Sequence, residues 1–322
     1  MSQSLASVEP PPTEPPAGAG VGLPVRKIEG RSPWRLGLER LRRDRAAMIS
    51  LAVIILIVLV AVFAPVIAAA VGHGPNQQFQ STGLTAIGQP KGPNSTFLLG
   101  TDDLGRDIMV RIAYGARISL IVGVLATALT VAVGAIVGLM AGYFGGVTDS
   151  ILARFMDWLL AIPFLLFAIS LVTVIGAGLT VVIIVIGFFG WASVGRIVRG
   201  QVLSLKEREF VEAARALGAG PWRIMFIDIL PNVMAPIIVY ATLLIPLSIV
   251  TEASLSFLGV GIPAPTADWG QMISAAQNVY QYGAWWYLVF PSVALLITTL
   301  AFNIFGDGVR DAFDPRGDQL FV

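Results

Sequence analysis

The run Trp158-Leu-Leu-Ala-Ile-Pro-Phe-Leu-Leu-Phe-Ala-Ile-Ser-Leu-Val-Thr-Val-Ile-Gly176-Ala-Gly178-Leu-Thr-Val-Val-Ile-Ile-Val-Ile-Gly-Phe-Phe-Gly-Trp-Ala-Ser-Val-Gly195 holds no charged residue in 38 positions. A hydrocarbon core about 30 Å thick is crossed by roughly 20 apolar helical residues, so one crossing cannot use so long a run comfortably. Gly176-Ala177-Gly178 interrupts it midway, and we read a tight turn there with a helix on either side. Four more charge-free runs lie outside it, Ala46 to Gly72, Ile118 to Thr148, Ile229 to Thr251, and Trp269 to Gly306. The last is polar in its first half, at Gln271, Gln277, Asn278 and Gln281, so its crossing narrows to Ala284–Phe305. The expectation is an all-α, polytopic membrane protein with six transmembrane helices.

Composition agrees. Of 322 residues, 56% are hydrophobic and 13% charged, about half the charge of an ordinary soluble domain. With Cys 0, disulfide frameworks, iron–sulfur centres, thiolate zinc sites and cysteine nucleophiles are excluded. A net charge of +1 gives no polyelectrolyte character, and so no indication of nucleic acid.

The basic residues orient the crossings. Arg26, Lys27, Arg31, Arg35, Arg40, Arg42, Arg43 and Arg45 precede the first one. With a cytoplasmic N-terminus and six helices, Arg154, Arg196, Arg199, Lys206, Arg208, Arg215, Arg223, Arg310 and Arg316 also fall inside. Only Lys91, Arg106, Arg111 and Arg117 remain outside, the asymmetry that the positive-inside rule expects. A single crossing through the 38-residue run would export the basic cluster between Arg196 and Arg223. Both termini are therefore expected in the cytoplasm, and Trp285, Trp286 and Tyr287 open the last helix as an interfacial belt. The first apolar run is longer than a signal-peptide core and follows a long basic tail, so it reads as a retained helix.

The chain divides accordingly. Residues 1–32, rich in proline, read as a disordered cytoplasmic tail. Residues 33–72 form a basic lead-in and the first membrane helix, and 73–117 an external loop. Residues 118–308 make a five-helix core with a cytoplasmic segment at 205–224, and 309–322 a cytoplasmic tail.

Chemistry is sparse. Asp157, Asp228 and Glu252 lie at the edges of spans and none lies centrally, so the intramembrane ionisable group usual in ion-coupled carriers is missing. Sodium coupling through carbonyls freed near Pro163, Pro236 and Pro246 stays open. The lysines, Lys27, Lys91 and Lys206, follow Arg, Pro and Leu, so no phosphate-binding loop is present. His73 reads as a loop histidine, and no Ser/His/Asp or His-Glu-x-x-His arrangement occurs. The chain is not expected to be an enzyme. In the second span Ala126, Thr130, Gly134, Gly138 and Gly142 recur every fourth residue, a small-residue stripe suited to close helix packing either inside this chain or against a partner.

The most informative segment is Leu205-Lys-Glu-Arg-Glu-Phe-Val-Glu-Ala-Ala-Arg-Ala-Leu-Gly218-Ala-Gly-Pro-Trp-Arg-Ile-Met-Phe-Ile-Asp-Ile-Leu-Pro231. Phe210, Ala213, Ala214 and Leu217 stand at i, i+3, i+4 and i+7, an apolar stripe on a short charged helix. Gly218 suits its C-terminal cap and Pro221 the first turn of a following helix. Such a helix fits a groove in a partner. A position on lipid headgroups is the alternative, disfavoured by Glu207, Glu209 and Glu212, which would meet anionic lipid.

Glu212-Ala213-Ala214, Gly218 and Leu230-Pro231 resemble the EAA loop of membrane subunits in binding-protein-dependent ABC importers. One departure is Asp228, where the pattern has an apolar residue. Leu99-Gly-Thr-Asp-Asp-Leu-Gly-Arg-Asp107, Arg111 to Leu120, Glu252-Ala-Ser-Leu-Ser-Phe-Leu-Gly-Val-Gly261 with Trp269-Gly270, and Gly306-Asp-Gly-Val-Arg-Asp-Ala-Phe-Asp-Pro-Arg316 narrow the likeness. They resemble the dipeptide, oligopeptide and nickel permeases, specifically the subunit with the long first external loop, over about residues 33–316.

That resemblance implies a type I importer permease in a bacterial cytoplasmic membrane, paired with a second, homologous permease subunit around a peptide path. It implies two ATP-binding subunits, which hold ATP and Mg, and an extracytoplasmic substrate-binding protein; the chain itself carries no cofactor or metal. Glu207, Phe210, Glu212, Ala213, Ala214, Leu217 and Gly218 would couple to the ATPase. Asp102, Asp103, Arg106, Asp107, Ser256, Phe257 and Gly259 would form an external docking or gate surface. On physical grounds Asp102 and Asp103 fit a turn or helix cap, and Asp107 is placed to pair with Arg106 or Arg111. An ion-coupled secondary transporter and a membrane scaffold are the rival readings.

Overall fold

The structure, a computed structural model, describes residues 33–313. The expectations for the tail at 1–32 and for residues 314–322 lie outside the described residues. The chain opens with α1 (Pro33–Arg43), whose last turn carries Arg40, Arg42 and Arg43, where cations meet the negative end of the helix dipole. Asp44 then caps α2 (Arg45–Val62), accepting from the Ala46 N–H at 2.8 Å and the Ala47 N–H at 3.2 Å. A short α3 (Ala64–Val71) follows, with proline in its first turn, and Gly72 at φ 77° ends it. An irregular segment leads to α4 (Ile108–Phe144), which starts ten residues before the expected span.

The decisive apolar run folds differently from its reading. α5 (Gly146–Ala161) and α6 (Phe164–Ile175) meet at an angle of 87°. Pro163 lacks an N–H and drives the residue before it out of the helical region, and Ile162 is extended at φ −78°, ψ 127°. The third candidate crossing is therefore a broken pair whose second limb has 12 residues, about 18 Å, and not one straight helix from Trp158. The expected turn at Gly176-Ala177-Gly178 is present, with Gly176 at φ 105°. Beyond it runs α7 (Leu179–Leu205).

α8 (Glu209–Ala216) and the single turn α9 (Pro221–Arg223) come next, joined through a π-helical turn, Ile224–Ile229, to α10 (Leu230–Phe257). α11 (Trp269–Tyr280) and α12 (Trp285–Phe313) complete the described chain. Among the described residues five helices, the segments 45–62, 108–144, 179–205, 221–257 and 285–313, are long and apolar enough to cross a membrane, and the count is six if the bent pair forms one span. Among the described residues the only β pairing consists of isolated bridges at Leu84–Pro90 and Thr101–Asp107.

The bundle is organised around α4 and α7. A β-carbon on Gly134 would lie 2.6 Å from Cβ of Val194, one on Gly138 2.6 Å from the Gly195 carbonyl, and one on Gly142 2.7 Å from Cβ of Val202. The small-residue stripe thus packs inside this chain, letting two helix backbones approach to van der Waals contact. Arg199 Nη2 donates to Asp149 Oδ2 at 2.7 Å, and Arg196 pairs with Asp157, so α5 is tied to the same helix. Large apolar side chains such as Ile55, Leu56, Val174, Leu247 and Leu300 face outward, as helices do when their surroundings are apolar.

Candidate functional site

α8 carries few residues and a clear division of labour. Its extended N-cap, Arg208, has no capping side-chain bond, and Glu209 and Glu212 stand in the first turn with Arg215 in the last, charges matched to the dipole. Gly218 ends the helix at φ +81°, a left-handed conformation that favours glycine. The Ala219 N–H reaches back to the Ala214 carbonyl at 3.0 Å and the Gly218 N–H to Arg215 at 2.9 Å, the reverse bonds of a left-handed helix end. Glu207 lies in the turn before α8 and so outside the helix expected from residue 207.

The anchor of α8 is Val211, which the stripe reading missed. It is 0% exposed and packs among Val202, Ile224 and Ile229, while Ala214 is half-buried against the same cluster. Phe210 at 42% and Leu217 at 88% are open, together with Glu212, Ala213 and Gly218. The expected stripe is therefore split: one edge seats the helix, and the other faces away from the bundle. Arg215 lies over the Tyr143 ring at 5.5 Å, fixing α8 to the C-terminal end of α4. Trp222, Phe226 and Ile227 extend the exposed apolar surface, with Trp222 and Phe226 stacked at 6.0 Å. Asp228 falls in the π-helical turn, half-buried, and its carbonyl accepts from Asn232 at 2.7 Å.

At the other end of the bundle the residues expected to dock or gate form a buried polar knot. Asp102 is fully buried and accepts from the Leu104 N–H at 3.0 Å, the Arg106 N–H at 2.8 Å and Arg106 Nε at 2.6 Å. Arg111 Nε stands 3.4 Å from the same carboxylate, and Arg111 Nη1 donates to the Pro75 carbonyl and Asn76 Oδ1. Asp107 does not pair with Arg106 or Arg111. It caps α4 through the Met109 N–H at 2.8 Å, and its Oδ2 meets His73 Nδ1 at 2.7 Å. His73, buried between Phe79 and Phe97, is thus a packing and capping residue. Sequence periodicity has no signal for a pairing across 34 positions.

Asp103 is the accessible member, accepting from the Tyr287 hydroxyl at 3.3 Å. Trp286 Nε1 donates to the Thr101 carbonyl at 3.2 Å, so the aromatic residues at the start of α12 also clasp the irregular segment before α4. Ser256 is buried, Phe257 is partly open at 37%, and Gly259 ends α10 at φ +81°. Among the described residues no group of three or more His, Cys, Asp or Glu side chains could hold a metal.

Residues 134–318 match the family described as binding-protein-dependent transport system inner membrane component. The chain belongs to that family. Residues 32–86 also match the N-terminal transmembrane domain of oligopeptide transport permease C. The oligopeptide transport system permease protein OppC of Bacillus subtilis is 43% identical over 303 residues, covering 94% of this chain and 96% of that one. The dipeptide transport system permease protein DppC of Alkalihalophilus pseudofirmus is 39% identical over 309 residues, 95% of each chain. The glutathione transport system permease protein GsiD of Pectobacterium atrosepticum is 38% identical over 298 residues, 91% of this chain and 95% of that one.

The permease also has an apolar pocket that opens at its surface. It measures about 330 Å³ at the break between α5 and α6, and is walled by Leu159, Ile162, Phe164, Phe189 and Leu244 with hydroxyls of Thr130, Ser193, Ser248 and Thr251. Its polar atoms are hydroxyls and backbone, so it offers hydrogen bonds without charge. Glu252, near the C-terminal end of α10 as its place in the sequence implied, is fully buried, as is Asp268.

Proposed function

We propose that this permease subunit works in an ATP-driven importer of di- or oligopeptides, beside a second permease and two ATPase subunits, with an extracytoplasmic binding protein supplying substrate. The observation that carries the reading is α8: Val211 seats it, Arg215 fastens it to Tyr143, and Phe210, Ala213 and Leu217 face away from the bundle. An anchored helix with one free apolar edge is a coupling surface, since force applied to it reaches α4 and the core through Tyr143 and Val211. ATP shifts the access of the central path only by binding one conformation of the assembly more tightly than another. Catalysis therefore belongs to the ATPase chains. The peptide assignment draws on the oligopeptide and dipeptide systems in which the relatives are named, and an apolar cavity with scattered hydroxyls is compatible with neutral backbone-rich solutes.

The orientation that puts α8 in the cytoplasm rests on the basic residues. The outer knot around Asp102 serves in this reading as a rigid platform beneath a binding protein, with Asp103 and Phe257 at its open edge. An ion-coupled carrier gains one point in its favour from the buried Glu252 and Asp268. Reconstitution separates the two. Peptide uptake into liposomes holding the whole assembly should need ATP and binding protein, and movement of peptide by this chain alone down an imposed ion gradient would overturn the importer reading.

A further inference from the structure

Where α4, α10 and the start of α11 meet, two carboxyl groups face each other out of reach of water. Glu252 and Asp268 are each 0% exposed and lie within hydrogen-bonding reach of one another. The remaining partners are donors. Ser119 Oγ from α4 donates to Glu252 Oε2 at 3.2 Å, and Ser256 Oγ from α10 donates to Oε1 at 3.0 Å. The Gly270 N–H donates to Asp268 Oδ1 at 2.7 Å. Ser256 Oγ and the Gln271 N–H also reach the Asp268 carboxyl, and its fully buried Oδ2 keeps no well-formed hydrogen bond.

The arginines of α4 have other surroundings: Arg117 is exposed and lies over the Tyr114 ring at 6.0 Å. Arg111, two turns outward on α4, is held by Asp102 and by the carbonyls of Pro75 and Pro265. On α12, Tyr287 addresses Asp103. From α11 come the Gly270 N–H and Gln271, whose side chain is committed to the Ile262 carbonyl at 2.8 Å. Two ionised carboxylates in this setting would repel each other in a dry site with no counter-charge, which favours loss of one charge. A proton placed between Glu252 and Asp268 removes the repulsion and gives Oδ2 the well-formed bond it lacks.

We propose that the outer end of the permease holds a resident proton, shared by Glu252 and Asp268, which latches α11 to α10. Packing at the same point leaves little slack: a β-carbon on Gly270 would lie 2.2 Å from the Ala253 carbonyl oxygen, and one on Gly261 2.0 Å from Ser256 Oγ. Burial raises the Asp268 carboxyl above its ordinary value. The folded chain therefore binds more protons here than the unfolded chain. The latch is complete at low pH, weakens as pH rises above the usual carboxylate range, and is gone above the raised value. Loss of the proton forces the two elements apart and loosens the 258–268 hairpin at the outer mouth.

Infrared spectroscopy on the purified full chain tests this. At neutral pH the wild type should show a protonated-carboxyl band that shifts in deuterated water, and Glu252→Gln and Asp268→Asn should each lack it. Thermal unfolding of the wild type should move to lower temperature as pH is raised, and the slope should flatten in Glu252→Gln, whose amide N–H replaces the proton permanently. Should the variants fail to fold, the wild-type band alone decides. Absence of that band at neutral pH overturns the proposal, as does stabilisation of the wild type by sodium or calcium at constant ionic strength, which would make a metal cation the occupant.

Discussion

Gly138 has no room for a side chain, because the carbonyl of Gly195 would stand 2.6 Å from its β-carbon. Gly138→Ala is expected to cost about 1–3 kcal/mol through overpacking, read as a lowered melting temperature of the detergent-solubilised chain. Gly200→Ala, on α7 with open space around it, is expected to leave stability unchanged or raise it by up to ~1 kcal/mol. Equal destabilisation by both would remove the seam from the account. Asp107→Ala should cost about 1 kcal/mol from the lost cap and also strand His73, whereas Asp107→Asn should be milder; equal melting temperatures for the two would deny the cap its role. At this scale the sequence was half legible. A four-residue spacing showed the glycines but not which helix covers them, since Val194, Val198 and Val202 look like any apolar face until packed. Asp102 has the turn role read for it and also takes the Arg106 pairing expected of Asp107, which caps α4 and meets His73 instead, because local turn chemistry is readable and pairing across tens of residues is not.

α8 is the element whose sequence said most, because a helix stop at Gly218 and a charged first turn are local signals. Its inward face was misjudged by one residue: with three helices meeting beneath it, Val211 and not Phe210 is the buried anchor. Ala213→Trp or Gly218→Trp should leave the chain in the membrane while uncoupling ATPase activity from uptake or detaching the ATPase, because added bulk cannot enter a packed cleft. Normal uptake and normal ATPase stimulation in both would refute the docking role. Arg215→Ala should weaken α8's hold on α4 by about 0.5–1 kcal/mol, visible as faster hydrogen exchange over 209–218 with the rest of the chain unchanged. The α5–α6 break escaped the sequence reading because apolar composition runs straight through it. Only the restriction that Pro163 places on Ile162 marks the bend.

For the molecule as a whole, composition and the positive-inside count made the fold class readable, while the outer segment at 73–107 was opaque because it holds no periodic element. Topology is directly testable in this cysteine-free chain. Ser81 and Ser204 are both exposed, and a cysteine at 81 should react with an impermeant thiol reagent outside intact cells while one at 204 should not. The reverse pattern would invert the orientation. In proteoliposomes of the full assembly, peptide uptake should persist when proton and sodium gradients are collapsed, since the buried carboxyl pair lies at one end of the bundle and no relay of ionisable side chains continues from it through the described spans. Uptake that stops with the gradients would tie that pair to coupling.

The 37 residues of α4 reach about 55 Å end to end, well beyond a hydrocarbon layer of about 30 Å. Tyr143 at its foot grips Arg215, and Asp107 at its head is clamped by His73. A free rod of that length pivoting by about 10° at its foot would sweep roughly 10 Å at its head, and the clamps at both tips and the glycine seam oppose such a tilt unless the packed helices move with it. One continuous helix thus joins the residue that holds α8 to the residue that meets His73, so the two ends of the bundle share a single rigid part.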